Sequence, residues 1–325
     1  MTTLPITAPT AAGGAAGQPA RSGAAAARTI TVGRENEPTR HRWVERVLKE
    51  LPPGGRLLDA GAGEQRYRPH CGHLKYVGQD FARYDGRGDG AGLQTKTWDQ
   101  TRLDLVCDIA AIPEPDGSFD AVLCTEVFEH LPDPLAALRE FTRLLRPGGH
   151  LVLTAPFCSL THFAPFHFAT GFSRYFYRTH LPAHGFEIVE LEENGNFFEF
   201  LAQETRRLRG VAARYAGDAL TPEESAAVHT VLGALQRFSL KDKGSNDLLN
   251  FGFHVLARKT GVAPRESIDS TTAHRPAPEP ATAKKAAAAS VPVQPAAAAT
   301  GWLGQLNSAL RATASGKRKP PAAKD

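Results

Sequence analysis

The sequence predicts an α/β fold, a mostly parallel sheet with helices covering both faces. Three observations carry this expectation. Short apolar runs alternate with amphipathic helical patterns across the middle of the chain. One run ends in an acid and a Gly-x-Gly turn, Asp59-Ala60-Gly61-Ala62-Gly63. Such a turn marks the carboxyl edge of a parallel sheet, where ligands bind. Two later runs also end in acids, Asp80 and Asp108.

The elements follow in order. Pro38 opens a helix over 38–51, closed by Pro52-Pro53. Strands are expected at Arg56–Asp59, Lys75–Gln79, Leu103–Cys107, Phe119–Cys124 and His150–Ala155. Between the last two, Leu135, Leu138, Phe141, Leu144 and Leu145 recur at helical spacing until Pro147-Gly148-Gly149 stops the pattern. Phe186–Leu191 and Phe251–Ala257 read as two more strands, separated by helices near 196–215 and 222–240.

Charge divides the 325 residues. Residues 1–34 hold three Arg and no acid, and 261–325 hold nine basic residues against four acidic ones. The folded unit expected at 35–260 therefore carries a net −4, although the whole chain is +4. Both ends are low in complexity, with 18 Ala and 8 Pro among the last 65 residues. They cannot bury enough apolar surface to offset their ordering entropy, so disorder is expected there. No apolar run reaches transmembrane length, and without a charged stretch leading into an apolar one a secretory leader is not expected. Four scattered cysteines without CxxC spacing suit reduced thiols in a cytoplasm.

The glycines admit positive φ and let a ligand approach the backbone. A dinucleotide fingerprint would need a third glycine where Arg66 stands, and no Gly-Lys-Ser/Thr phosphate cradle exists. The turn therefore leaves room for a ligand without phosphates. Asp80 lies 21 residues after Asp59, placed to accept from both hydroxyls of a ribose. Asp108 could accept from an adenine amino group while Ile109 donates its N–H. Strand-end acids are also common caps and turn formers; three in register after a Gly-x-Gly turn are far less so by accident.

With these residues in view, the chain resembles the class I S-adenosylmethionine-dependent methyltransferases of the small type-11 group. The glycine turn is similar to that family's first motif, Asp80 to its ribose acid and Asp108-Ile109 to its adenine motif. Residues 118–131, SFDAVLCTEVFEHL, resemble the fourth strand and its loop, and 143–151, RLLRPGGHL, the turn into the fifth. The likeness covers about 54–190. One departure is Gln65, where many members carry Gly. The resemblance implies a Rossmann-like, seven-stranded sheet with the last strand antiparallel, S-adenosylmethionine as cofactor, and in-line methyl transfer to a small molecule. It implies that the backbone around Asp59, Gly61, Ala62 and Gly63 holds the amino-acid end of the cofactor. Asp80 would take the ribose, Phe81 and Asp108-Ile109 the adenine, and Thr125-Glu126 the floor.

Three histidines past the sheet edge, His130, His162 and His167, are candidates for a general base or for binding the acceptor. For His130 the competing expectation is a structural histidine bonded to backbone. The H-x4-H spacing of His162 and His167 is not read as a metal pair, because four apolar residues separate them and no Cys or further acid lies near. No metal is expected. Aromatics crowd 157–177 among His and Arg, which suits stacking on a sugar ring or planar molecule and points by family analogy to polysaccharide precursors or secondary metabolites. A −4 core lacks the footprint for nucleic acid, and Arg206, Arg207, Arg209 and Arg214 read as the solvated side of a helix. Trp302, Leu303, Leu306 and Leu310 outline a short amphipathic helix near 301–312 that could meet a partner protein or an anionic membrane surface. A non-catalytic cofactor-binding module and a nicotinamide-dependent oxidoreductase are the alternatives. The sequence says nothing about oligomeric state.

Overall fold

The computed structural model describes residues 29–261. Expectations for residues 1–28 and 262–325, the helix near 301–312 included, lie outside them, whereas Val32, within the stretch expected to be disordered, is buried. Seven strands form one sheet: β1 (Arg56–Ala60), β2 (Lys75–Asp80), β3 (Leu105–Val106), β4 (Phe119–Thr125), β5 (Leu145–Pro156), β6 (Phe186–Asn194) and β7 (Gly252–Lys259). Their spatial order is β3-β2-β1-β4-β5-β7-β6. The first five strands pair in parallel, and β7 runs antiparallel to both β5 and β6. The helices are α1 (Asn36–Glu50), α2 (Pro134–Leu144), α3 (Arg174–Ala183), α4 (Phe197–Val211) and α5 (Pro222–Ser239).

Alternation along the central strands divides the core between two faces. Leu57, Leu123, Val152 and Leu256 meet Trp43, Val44 and Leu48 of α1. Their neighbours Leu58, Val122, Leu153 and Val255 meet Leu138 and Phe141 of α2 and Tyr177 of α3. Helix α2 starts cleanly because Pro134 occupies its first turn and the Asp133 side chain accepts from the N–H groups of Leu135 and Ala136. Beyond the sheet, α4 and α5 pack as a hairpin around Ala202, Leu232 and Leu235, with Val32 completing the cluster. Thr221 and Glu224 form a capping box at the start of α5.

Several boundaries differ from expectation. Helix α2 ends at Leu144, and Pro147-Gly148-Gly149 lies inside β5, where the register against β4 shifts between Phe119 and Ala121. The Pro-Gly-Gly stretch is thus a bulge in the strand rather than a helix stop. Strand β3 has only two residues, although Asp104 N–H and Cys107 N–H on either side still donate to carbonyls of β2. Helix α3 was not anticipated. Arg206 donates to the carbonyls of Ile30 and Val32, and Arg214 to those of Gly90 and Gly92. Arg206 is half-buried and holds the segment before α1, which corrects its reading as part of a solvated face, whereas Arg214 is exposed as expected. Among the described residues, no helix is long and apolar enough to cross a membrane.

Candidate active site

The carboxyl ends of β1, β2 and β4 bring the glycine turn and the acids to one edge. Gly61 has φ +76° and Gly63 φ +50°. A Cβ on Gly61 would lie 2.5 Å from Val127 Cγ2, and one on Gly63 2.5 Å from Trp98 Cζ2. Both positions therefore need glycine for backbone conformation and for close approach. Gln65 also lies in the left-handed region, at φ 59°. Its amide donates to the Arg102 carbonyl and its side-chain oxygen accepts from Arg68, bonds that offset the roughly 1–2 kcal/mol of that conformation. This accounts for glycine as the usual occupant and for how glutamine serves instead.

The N–H groups of Gly61 and Ala62 donate to the Gln79 carbonyl at 2.9 and 2.8 Å, and that of Gly63 to Asp80 Oδ2 at 3.0 Å. The turn's donors face the neighbouring strand and a carboxylate, so they form no phosphate nest. That geometry disfavours the nicotinamide alternative. Asp80 is buried; its Oδ1 accepts from Ala82 N–H and from Gln100 Nε2 at 3.1 Å. Burial raises its pKa, against the three backbone N–H groups that lower it. Among the described residues no Lys or Arg pairs with it, and a carboxylate accepts about four hydrogen bonds. The site thus fits a neutral, hydroxyl-bearing ligand such as the ribose of S-adenosylmethionine. Phe81 is exposed and meets the Phe166 ring edge-on at 5.0 Å. Asp108 is exposed and accepts from Ala110 N–H at 2.9 Å, while Ile109 is buried beside it. The Asp59 carboxylate is turned into the protein, where it accepts from the Tyr76 hydroxyl at 2.5 Å.

On the other side of β4 a cavity of about 320 Å³ opens, lined among others by Arg40, Glu126, Glu129, His162, Phe163 and Gln203. Glu126 follows Thr125 at the end of β4 with φ 53°. Its carboxylate is fixed by Arg40 at 3.0 Å and by the Thr154 hydroxyl at 2.9 Å. Phe163 stacks on Tyr84 at 4.4 Å and on His130 at 5.1 Å. Trp98 meets the same ring at 5.3 Å, so the segment after β2 and the loop after β5 share one aromatic cluster.

All three candidate histidines come together: the His162 ring lies 4.6 Å from that of His130 and 5.0 Å from that of His167. His130 donates from Nδ1 to the Phe166 carbonyl at 2.5 Å, as a structural histidine would. Burial, reinforced by His162, pushes its pKa down to about 3. His167 faces the Ser159 hydroxyl at 3.2 Å. Burial opposes protonation of His162, but Glu129 and the Leu160 carbonyl outweigh it and raise its pKa. Sequence reasoning passed over Arg40, Trp98, Gln79 and Gln100, polar or aromatic residues with no motif around them. It quoted Glu129 within the fourth-strand motif without giving it a role.

A sequence model of a family described as a methyltransferase domain matches residues 33–198. The chain belongs to that family, the class I S-adenosylmethionine-dependent methyltransferases. Among curated proteins it is similar to the ubiquinone biosynthesis O-methyltransferase of Xanthomonas oryzae pv. oryzae (strain PXO99A), 49% identical over 63 residues, or 19% of this chain and 26% of the relative. The enzyme of the same name from Xanthomonas campestris pv. campestris (strain B100) is 37% identical over 108 residues, covering 31% and 43%. The chain thus spans between about a quarter and less than half of the length of these methyltransferases. Among solved structures it is similar to phosphoethanolamine N-methyltransferase 2 of Haemonchus contortus in complex with S-adenosyl-L-methionine, at 17% identity and TM-score 0.39, covering 68% of this chain and 52% of that one.

Proposed function

We propose that this methyltransferase methylates a hydroxyl oxygen of a small ring compound seated in the cavity beside β4. One observation carries the reading: a pocket sized for a small molecule joins a polar wall of Glu126, Glu129 and His162 to aromatic Phe163. The curated relatives named O-methyltransferases favour oxygen over nitrogen or carbon. A sugar or secondary metabolite would suit the same mixed lining.

When bound, S-adenosylmethionine supplies an activated methyl group on a sulfonium, so this chain's residues have mainly to bind and orient. Asp80 holds the ribose hydroxyls against the Gly61–Gly63 turn. Phe81, Asp108 and Ile109 border the adenine, and the backbone from Asp59 to Gly63 borders the amino-acid end. Thr125 and Glu126 form the floor between cofactor and acceptor, with Arg40 keeping Glu126 in place. His162 is the imidazole that meets the acceptor. His130, half-buried against it, and His167, on Ser159, support that loop.

The test is incubation of the protein with deuterated-methyl S-adenosylmethionine and small-molecule extracts, followed by mass spectrometry. Label on an oxygen of a hydroxylated compound is expected. Cofactor binding without label in any small molecule, or label only on nitrogen or carbon, refutes the reading.

A further inference from the structure

The Glu129 side chain is 1% exposed, and neither of its carboxylate oxygens has a hydrogen-bond partner. Burying a carboxylate in this way is unfavourable unless something compensates the charge. Facing it are His130 Nε2 and His162 Nε2, each 3.7 Å from Oε1 and too far for a hydrogen bond. Both imidazoles have a settled orientation. A carbonyl oxygen can only accept, so His130 carries a proton on Nδ1 toward Phe166, and His162 carries one on Nδ1 toward Leu160 at 2.8 Å. Both rings therefore turn Nε2 toward the same carboxylate oxygen, whose burial raises the pKa of Glu129. His130 Nε2 is itself buried without a partner. Protonating His162 would answer one of these atoms and leave His130 Nε2 and the second carboxylate oxygen unmet.

We propose that Glu129, His130 and His162 bind a first-row divalent transition cation of the Zn²⁺ type, with an open coordination position facing the acceptor cavity. The three donor atoms lie within 4.8 Å of one another. Ligands about 2.0–2.2 Å from a tetrahedral ion sit roughly 3.4 Å apart, so a small side-chain adjustment closes the site. Two imidazoles and one carboxylate suit such an ion better than Mg²⁺ or Ca²⁺, which prefer oxygen. The Nδ1–H bonds to backbone carbonyls are the arrangement that holds metal-bound imidazoles in place. The pairing also differs from the H-x4-H spacing dismissed above: His162 works with Glu129 and His130, not with His167.

This inference rests on the hydroxyl-acceptor reading and adds a source of acidity to it. An acceptor hydroxyl on the ion releases its proton to water more readily. The oxygen's lone pair then forms the C–O bond as the C–S bond breaks, with that electron pair staying on sulfur. One proton is released, and the ion is neither oxidised nor reduced.

The experiment titrates the full chain, stripped with EDTA, with Zn²⁺ by calorimetry and with Co²⁺ followed by its visible spectrum. One equivalent should bind, at least 100-fold more weakly in both His162→Ala and Glu129→Gln. Calorimetry with S-adenosylhomocysteine checks that both variants are folded. Absence of stoichiometric Zn²⁺ binding, or equal affinity in wild type and both variants, overturns the site. Undiminished methyl transfer by the stripped protein overturns the ion's role and leaves the methyltransferase reading intact. Zn²⁺ bound through these residues with no hydroxyl methylated supports the site and overturns the hydroxyl reading.

Discussion

Asp59 is the clearest case in which burial should show as pH-dependent stability. Its carboxyl group is 2% exposed, and burial is the main cause lifting its pKa from 3.8 to about 7. The Tyr76 hydroxyl opposes this rise and Asp80 adds to it. The folded protein therefore holds a proton here that the unfolded chain releases near pH 4. Stability associated with this group is present below about pH 4 and falls as pH rises toward 7. Integrating between those values gives a loss of about 2–3 kcal/mol from pH 5 to pH 8, at about 1.36 kcal/mol per unit. Asp59→Asn keeps an oxygen for the Tyr76 hydroxyl and removes the titration. Urea unfolding of wild type and variant at both pH values isolates the effect, because other groups cancel in the difference. The variant's stability relative to wild type should improve by that amount between pH 5 and pH 8. A difference that stays constant within about 0.5 kcal/mol refutes the burial argument.

Three further outcomes follow from the geometry. Asp80→Ala removes the acceptor for Gly63, Ala82 and Gln100 and should weaken S-adenosylmethionine binding roughly tenfold or more by calorimetry. Gly63→Ala places a methyl group against Trp98 and a side chain at positive φ, so cofactor affinity should fall while far-UV circular dichroism keeps the α/β signature. Phe141→Ala empties a fully buried site between α2 and the sheet and should cost about 3–5 kcal/mol in denaturant titrations, leaving cofactor affinity unchanged in the folded fraction.

Much of the scaffold was legible because the central strands are short apolar runs bounded by Pro, Gly or acids. Leu57-Leu58 and Val122-Leu123 are buried on opposite faces, so they read as continuous hydrophobic sequence. Helix α3 was not legible because its aromatics, Tyr175 to Tyr177, resemble a binding loop; in the fold Tyr177 is core and Tyr175 is exposed. Pro147-Gly148-Gly149 carried the chemistry of a helix stop, yet the adjoining β4 edge recruited it into a strand. At the site, the Gly-x-Gly turn and strand-end acids were visible as local patterns. The meeting of Glu129 and His130 with His162 was not, since β5 and its following loop bring together residues far apart in sequence. Arg40 acts through its tertiary ion pair with Glu126 and leaves no periodicity to find.

The sheet order has a consequence for biosynthesis. Among the described residues, strand β6 pairs only with β7, and β7 is inserted between β5 and β6. As the chain leaves the ribosome, β6 emerges ahead of the α4–α5 hairpin and must wait for the final strand before it can dock. Release or cleavage just before Gly252 would strand β6 and expose an unpaired flank of β5, a template for aggregation. Completion of this architecture is therefore a late event, reached only once the segment through Lys259 has been made.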